Sequence, residues 1–310
     1  MDVQLDQLRT LRAVVATGSF EAAARALGVT PSAVSQRVKA LESALGRVLV
    51  RRGRPATTTP AGTSVLRLAT EVETLLAETA AELETGTGRV VVPLVVNADS
   101  LDTWALPALA DLPDWLSVHL VREDERHSAE LLREGAVMAA VTVEHEPVQG
   151  CTVRALGALA YRPVCAPALH ARCFLGRPLR RALREAPLVQ FDAKDALQDD
   201  LLARHGVDPA APPRHRVPGS GPFLGAVRLG LGWGMVPAVQ ADPLLASGEL
   251  VALEDRVRRV PLYWQQWSLR SRALDHLAAS FARAAQVLDP PGAPRRGARD
   301  NGGPSPKEVP

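Results

Sequence analysis

Residues 19–46 read SFEAAARALGVTPSAVSQRVKALESALG, and their spacing decides how the front of the chain folds. SFEAAARAL is a short alanine-rich helix with Ser19 at its cap and Gly28 as its stop. Pro31 then stands in the first turn of a third helix, where proline is tolerated. Two helices that cross closely need a small residue at the contact, a glycine in the left-handed turn and a buried apolar residue in the second helix. Ala24, Gly28 and Val34 supply these in order. The pattern predicts a helix-turn-helix whose recognition helix, Pro31 to Ala44, turns Ala33, Val34, Val38 and Leu41 inward. Ser32, Ser35, Gln36, Arg37 and Lys39 then face outward, a short, polar and basic set suited to base edges in the major groove and to phosphates beside it. The competing reading is an ordinary helical hairpin with a solvated polar face.

Upstream, Leu5, Leu8, Leu11, Val14 and Val15 recur at three- and four-residue spacing, an amphipathic helix ended by Thr17-Gly18. Downstream, Val48-Leu49-Val50 and RRGRPATTTP read as a strand, a basic turn and a return strand. This would be a wing, with Arg51, Arg52, Arg54, Thr57, Thr58 and Thr59 beside the DNA backbone. From Ala61 to about Glu84, Val65, Leu68, Val72, Leu75, Leu76 and Leu83 keep near-heptad spacing between glutamates, which predicts a long exposed helix with one apolar stripe that wants a partner.

After Gly86-Thr87-Gly88 the pattern alternates between short β-rich runs (VVVPLVV, SVHLVRE, VMAAVTV) and helices near 100–110 and 128–134, as in βαβ units around a largely parallel sheet. A second α/β set follows Arg162, with helices at 196–205 and 222–231. LYWQQW and a closing helix over 274–288 then lead back to the first. From Asp289 the run PPGAPRRGARDNGGPSPKEVP is rich in Pro, Gly and charge and reads as a disordered tail, 289–310. The class is therefore α/β, divided into a winged helix-turn-helix over 1–60, a linker helix over 61–88 and two lobes within 89–288. Lobe I covers about 89–162 and 262–288, and lobe II about 163–261.

The formal charge of +2 over 310 residues conceals an asymmetry: residues 1–60 hold nine Lys and Arg against four Asp and Glu, and 61–289 hold 23 against 28. A basic head on a mildly acidic body suits a polyanion-binding domain joined to a small-molecule-binding one. Three cysteines without C-x-x-C spacing argue against a disulfide framework and for a reducing cytoplasm. MDVQLDQLRT lacks the order of a signal peptide, and no apolar stretch reaches membrane-spanning length, so no membrane partner is expected.

SFEAAARALGVTPSAVSQRVKALESALG, followed by a strand and T-T-P-A-G, resembles the N-terminal signature of the LysR-type transcriptional regulators, and the similarity extends over nearly the whole chain. VNADSLDTWALPAL, the Arg122–Glu125 run REDE, LGALAY and LYWQQW are similar to the lysine- and arginine-responsive LysG/ArgP branch, which activates basic-amino-acid exporter genes. The resemblance implies that 61–88 dimerises the chain and that 89–288 is a two-lobed, periplasmic-binding-protein-like effector domain. It further implies a homodimer, or a homotetramer that bends double-stranded DNA. The tail departs from the family's usual length.

In open α/β lobes ligands lie at the carboxyl ends of strands, where helix N-termini attract anions. Asn97-Ala98-Asp99-Ser100 ends one strand and opens a helix, and Gly219-Ser220-Gly221 opens another. Ser100 and Ser220 suit the α-carboxylate of an amino-acid effector and Asp99 its ammonium; the competing reading is that all three cap their helices. Glu123 and Asp124, with Glu125, suit a basic side chain, and Asp192 would close the other wall. Thr103, Trp104, Thr142 and Trp264 are candidate lining residues, the indoles offering a cation–π face. Lysine or arginine is the expected effector, with no cofactor.

Enzyme chemistry finds no support. Gly219, Gly221 and Gly225 miss the dinucleotide fingerprint by one residue, no phosphate-binding loop or H-E-x-x-H occurs, and the seven histidines show no metal-ligand spacing. An architectural DNA-binding protein without an effector is the remaining alternative.

Overall fold

The computed structural model describes residues 3–83, 89–122 and 128–290. Three helices open the chain: α1 (Leu5–Thr17), α2 (Phe20–Leu27) and α3 (Pro31–Leu45). Ser19 and Thr30 cap the second and third by accepting from the amides of Ala22 and Ala33, and Gly18, Gly28 and Gly46 end all three in the left-handed conformation. Leu8, Leu11, Val14, Ala23, Ala24, Val34, Val38 and Leu41 interlock in one core, so the small-residue crossing at Ala24 is built as the spacing requires. Glu42 turns its carboxylate onto the amides of Leu49 and Val50, at 2.8 and 3.3 Å. That bond fixes the chain as it enters a two-stranded wing, β1 (Val50–Arg51) and β2 (Thr57–Thr58).

The linker helix α4 (Pro60–Glu82) starts at a Thr59 cap. Gly62 is required there, because a Cβ would collide with the carbonyl oxygen of Leu49. The helix buries Gly62, Leu66, Thr70, Thr74 and Glu78, a strict four-residue ridge, and exposes Leu68, Leu75, Leu76 and Leu83. Of the apolar stripe read from the sequence, Leu68, Leu75, Leu76 and Leu83 are thus exposed while Val65 packs against the head core, and the buried face mixes Leu66 and Ala69 with Thr70, Thr74 and Glu78.

Beyond α4 the elements run β3 (Val90–Val96), α5 (Ala98–Ser100), β4 (Leu116–Arg122), α6 (Ser128–Glu134), β5 (Ala139–Thr142), β6 (Cys151–Cys165), α7 (Pro167–Cys173) and α8 (Leu179–Glu185). They continue with β7 (Leu188–Gln190), α9 (Leu197–Arg204), β8 (Arg214–Arg216), α10 (Ser220–Arg228), β9 (Gly234–Pro237), α11 (Ala238–Ala246), β10 (Val251–Ala252), β11 (Arg258–Trp267) and α12 (Arg272–Ala284). The chain forms two compact units: residues 1–156 with 261–287, and 157–260 with the residues from 288. Both breaks fall inside long strands, β6 and β11, at Gly157 and Pro261, whose flanking residues continue the strand pattern. The sequence reading places the first break later, near Arg162, where the apolar pattern changes.

In the first unit β3 lies between β4 and β5, parallel to both, and β11 pairs antiparallel with β5. VVVPLVV is near-continuously apolar because this central strand, Val91 and Pro93 apart, is buried. In the second unit β6 pairs antiparallel with β9 and β10, and β7 pairs parallel with β8. Beyond α4, three helices start before the residue at which the sequence reading begins them. The helix expected from Ser100 starts at Ala98, because Asn97 caps it, and continues through a π turn (Leu101–Ala105) and a 3-10 turn (Leu106–Leu109). The one expected from Pro222 starts at Ser220, where Gly219 with φ +98° sets the turn. The closing helix starts at Arg272, because Ser271 caps it, and gives way to a 3-10 turn at Ala285–Val287. Asp289 still exchanges backbone hydrogen bonds with Ala158, and the remainder of the expected disordered tail, 291–310, lies outside the described residues.

Candidate DNA-binding surface and effector site

One face of α3 is sealed by Val34, Val38 and Leu41 and the opposite face is open. Ser32, Gln36 and Lys39, at spacings of four and three, are exposed on it, with Ser35 and Arg37 half-buried at its flanks. Arg37 leans toward α1, its guanidinium 3.6 Å from Asp6, so part of its charge is engaged within the head. Ser32 Oγ lies 3.0 Å from Thr30 Oγ1. In the wing Arg51, Arg52 and Arg54 are exposed, and Arg52 sits 5.1 Å over the Phe20 ring, a cation–π contact that folds it back toward α2. Thr58 shares a hydroxyl hydrogen bond with Thr63 of α4, at 2.9 Å, and so joins wing to linker. Arg47, exposed just past α3, adds a cation that sequence reasoning did not single out. The exposed Glu21 carboxyl is held below the ordinary carboxylate range, first by its backbone hydrogen bond, then by Ser19, and further by Arg54 and Arg25.

In the first unit, the carboxyl ends of β3, β4 and β5 share one sheet edge: Val96 pairs with Arg122 in register, and β5 ends at Thr142. Asn97 Oδ1 accepts from the Ser100 amide at 3.1 Å, opening the helix at that edge. Ser100 is fully buried, and its Oγ meets no hydrogen-bond partner among the described residues. A buried hydroxyl left unpaired is costly. Thr103 Oγ1 donates to the Asp99 carbonyl at 2.5 Å, within the helical run, and Thr142 Oγ1 accepts from the Glu144 amide at 3.1 Å.

The structure places the two tryptophans in the core rather than on an open wall. Trp104 is 2% exposed and edge-on to Phe281, centroids 6.1 Å apart. Trp264 packs 4.7 Å from the same ring and donates to Gln266 at 2.7 Å. Gln265, which the sequence did not flag, ties down the loop after β5: its amide donates to the carbonyls of Glu144 and Glu146, and its Oε1 accepts from the Val148 amide. Glu123 and Asp124, expected to grip a basic side chain, lie outside the described residues, immediately after β4.

In the second unit Asp192 is used locally: its Oδ1 accepts from the amides of Lys194 and Asp195, at 2.7 and 3.0 Å. Asp195 in turn accepts from Phe191 and Leu197, so two aspartates hold the loop after β7. Ser220 is 4% exposed at the first turn of α10. Among the described residues no helix is long and apolar enough to cross a membrane, and no cluster of His, Cys, Asp and Glu would hold a metal.

Residues 5–63 match the bacterial regulatory helix-turn-helix proteins of the lysR family, and residues 81–286 match the LysR substrate binding domain. A lysine export transcriptional regulatory protein, LysG, of Corynebacterium efficiens is 44% identical over 286 residues, covering 90% of this chain and 97% of that one. Among solved structures, ArgP of Mycobacterium tuberculosis is 41% identical with a TM-score of 0.83, covering 92% of this chain and 98% of that one. Full-length LysG of Corynebacterium glutamicum with bound effector Arg is 38% identical with a TM-score of 0.77, covering 93% and 100%.

Proposed function

We propose, from the premise that this chain belongs to the LysR family of bacterial transcriptional regulators and is not an enzyme, that it senses lysine or arginine in the cytoplasm and activates a basic-amino-acid exporter gene. The observation that carries the sensing half is the arginine bound to the LysG of Corynebacterium glutamicum, a structure this chain matches over 93% of its length. The unpaired Ser100 Oγ, at the helix start after β3, supports a carboxylate subsite there. Asp99 would meet the ammonium, and Glu123 and Asp124, which follow β4 in the sequence, the basic side chain. In the second unit the buried Ser220 at the first turn of α10 is the candidate contact. Thr103 and Thr142, whose hydroxyls are used internally, would shape the site rather than bond to the effector.

On the DNA side, Ser32, Ser35, Gln36 and Lys39 read base edges while Arg51, Arg52, Arg54 and Thr58 hold the backbone, with Arg37 set by Asp6. Two chains pair through the exposed stripe of α4, so that two recognition helices reach successive major-groove faces, and two such dimers form a tetramer. Effector binding shifts DNA binding only to the extent that it favours one arrangement of the lobes over another.

Fluorescence anisotropy of the full-length protein on duplex DNA from exporter-gene promoters, with and without L-arginine or L-lysine, tests the reading. Salt-sensitive binding that either amino acid alters by fivefold or more is expected, an effect of about 1 kcal/mol. Binding that neither amino acid changes, on any such duplex, contradicts it.

A further inference from the structure

The buried face of α4 carries two polar joints to the effector lobe of its own unit. At one end Arg67 donates to the carbonyls of Gln149 (3.1 Å) and Gly150 (2.5 Å), pairs with Glu71 at 3.0 Å, and stacks 4.9 Å over the fully buried Trp267. Gly150 fits this seat because it has φ +73° and because a Cβ there would stand 2.9 Å from the guanidinium nitrogens. Three helical turns on, Glu78 is 8% exposed. It accepts from Ser271 Oγ at 2.6 Å and from the amides of Arg272 (3.3 Å) and Ala273 (2.9 Å). A carboxylate on one helix therefore caps the N-terminus of another, the 13-residue α12, where free amides and the helix dipole favour negative charge. Between the joints Thr70 and Thr74 return their hydroxyls to the carbonyls four residues back, so that neither hydroxyl is left unpaired.

The same helix reaches the DNA-binding head. Glu73 pairs with Arg12 at 2.7 Å and lies 3.8 Å from Arg9, and Asp6 stands between Arg9 and Arg37 of the recognition helix, at 3.8 and 3.6 Å. We infer that Arg67 and Glu78 are positioning residues that clamp the linker helix to the effector lobe, and that a displacement of α12 reaches the recognition helix through this clamp and the Glu73, Arg9, Asp6, Arg37 charge chain. The coupling half rests on the sensing function proposed above; the clamp itself does not. A linker helix joined to the lobe only by the chain would need no buried carboxylate. Here the carboxylate accepts from three donors at the start of α12.

The test uses the full-length protein with Glu78→Gln and, as a milder variant, Ser271→Ala. Hydrogen–deuterium exchange reads the clamp. In E78Q the amides of residues 74–82 and of the first turn of α12 should exchange about tenfold faster or more, and in S271A by a smaller factor, since buried donors lose their charged acceptor. Unchanged exchange in both variants overturns the clamp. Calorimetry with L-arginine and anisotropy on promoter DNA read the coupling. E78Q should bind arginine within about threefold of wild type, yet lose most of the arginine-dependent change in DNA affinity. A change as large as in wild type overturns the coupling. Wild-type protein that binds neither arginine nor lysine refutes the sensing function and the coupling with it, while the exchange data still decide the clamp.

Discussion

Ser100 is the residue on which the effector reading turns. Its hydroxyl is buried and unpaired, so Ser100→Ala removes an unsatisfied group and should leave the melting temperature of the free protein within about 2 °C of wild type. The same change should weaken arginine binding roughly tenfold, as loss of a hydrogen bond to a charged ligand does, and calorimetry measures both affinities directly. Equal affinities would mean that the hydroxyl faces no ligand. Cys165 gives a second residue-scale expectation. Burial, with Cys173 nearby, pushes its thiol up from 9.0 to about 12. Because the raised value disfavours the thiolate, its reactive fraction at pH 8 is roughly a thousandfold below that of an unperturbed thiol. Iodoacetamide followed by peptide mass spectrometry should therefore leave Cys165 unmodified until the protein unfolds.

Individual side chains were only partly legible in the sequence. Outward and inward positions of the recognition helix follow from spacing alone, and Val34, Val38 and Leu41 are indeed sealed. What spacing does not convey is competition for a side chain: Arg37 is drawn toward Asp6, Asp192 toward the amides that follow it, and both candidate indoles toward Phe281. Each of these partners is remote in sequence or depends on the exact turn, so no periodicity announces it.

Among the elements, α4 shows how a pattern can be correct on one face and silent on the other. Leu68, Leu75 and Leu76 form an exposed stripe, as their near-heptad spacing implies, whereas Thr70, Thr74 and Glu78, about which the apolar spacing says nothing, are buried. Burial of polar residues is invisible to a hydrophobic pattern because it depends on hydrogen bonds supplied by other segments. Leu75→Glu with Leu76→Glu should leave the monomer folded, both positions being partly exposed already, but shift sedimentation from dimer toward monomer and weaken DNA binding. A double variant that still sediments as a dimer would assign pairing to another surface. Gly62→Ala belongs to the same scale. The added methyl meets the Leu49 carbonyl, and overpacking against backbone should cost about 2 kcal/mol or more in urea unfolding.

For the whole molecule, the sequence's separation of a basic head from a mildly acidic body is a statement about partners. Each phosphate contact made by the head releases counterions, so DNA affinity should fall steeply with salt. Arg51→Ala or Arg54→Ala should each flatten the slope of log K against log[salt] by about one unit without altering sequence preference. Slopes indistinguishable from wild type would take the wing off the DNA.

The central claim, that this LysR-family chain is a sensor of basic amino acids, is met most directly by one thermal-unfolding screen of the full-length protein against the twenty amino acids. A ligand bound only by the folded state stabilises it by about 2.7 kcal/mol at a hundredfold excess over Kd. L-arginine and L-lysine should then raise the melting temperature by roughly 5 °C or more while acidic and apolar amino acids leave it unchanged. A screen in which neither basic amino acid shifts the transition, or in which glutamate shifts it equally, would contradict the account.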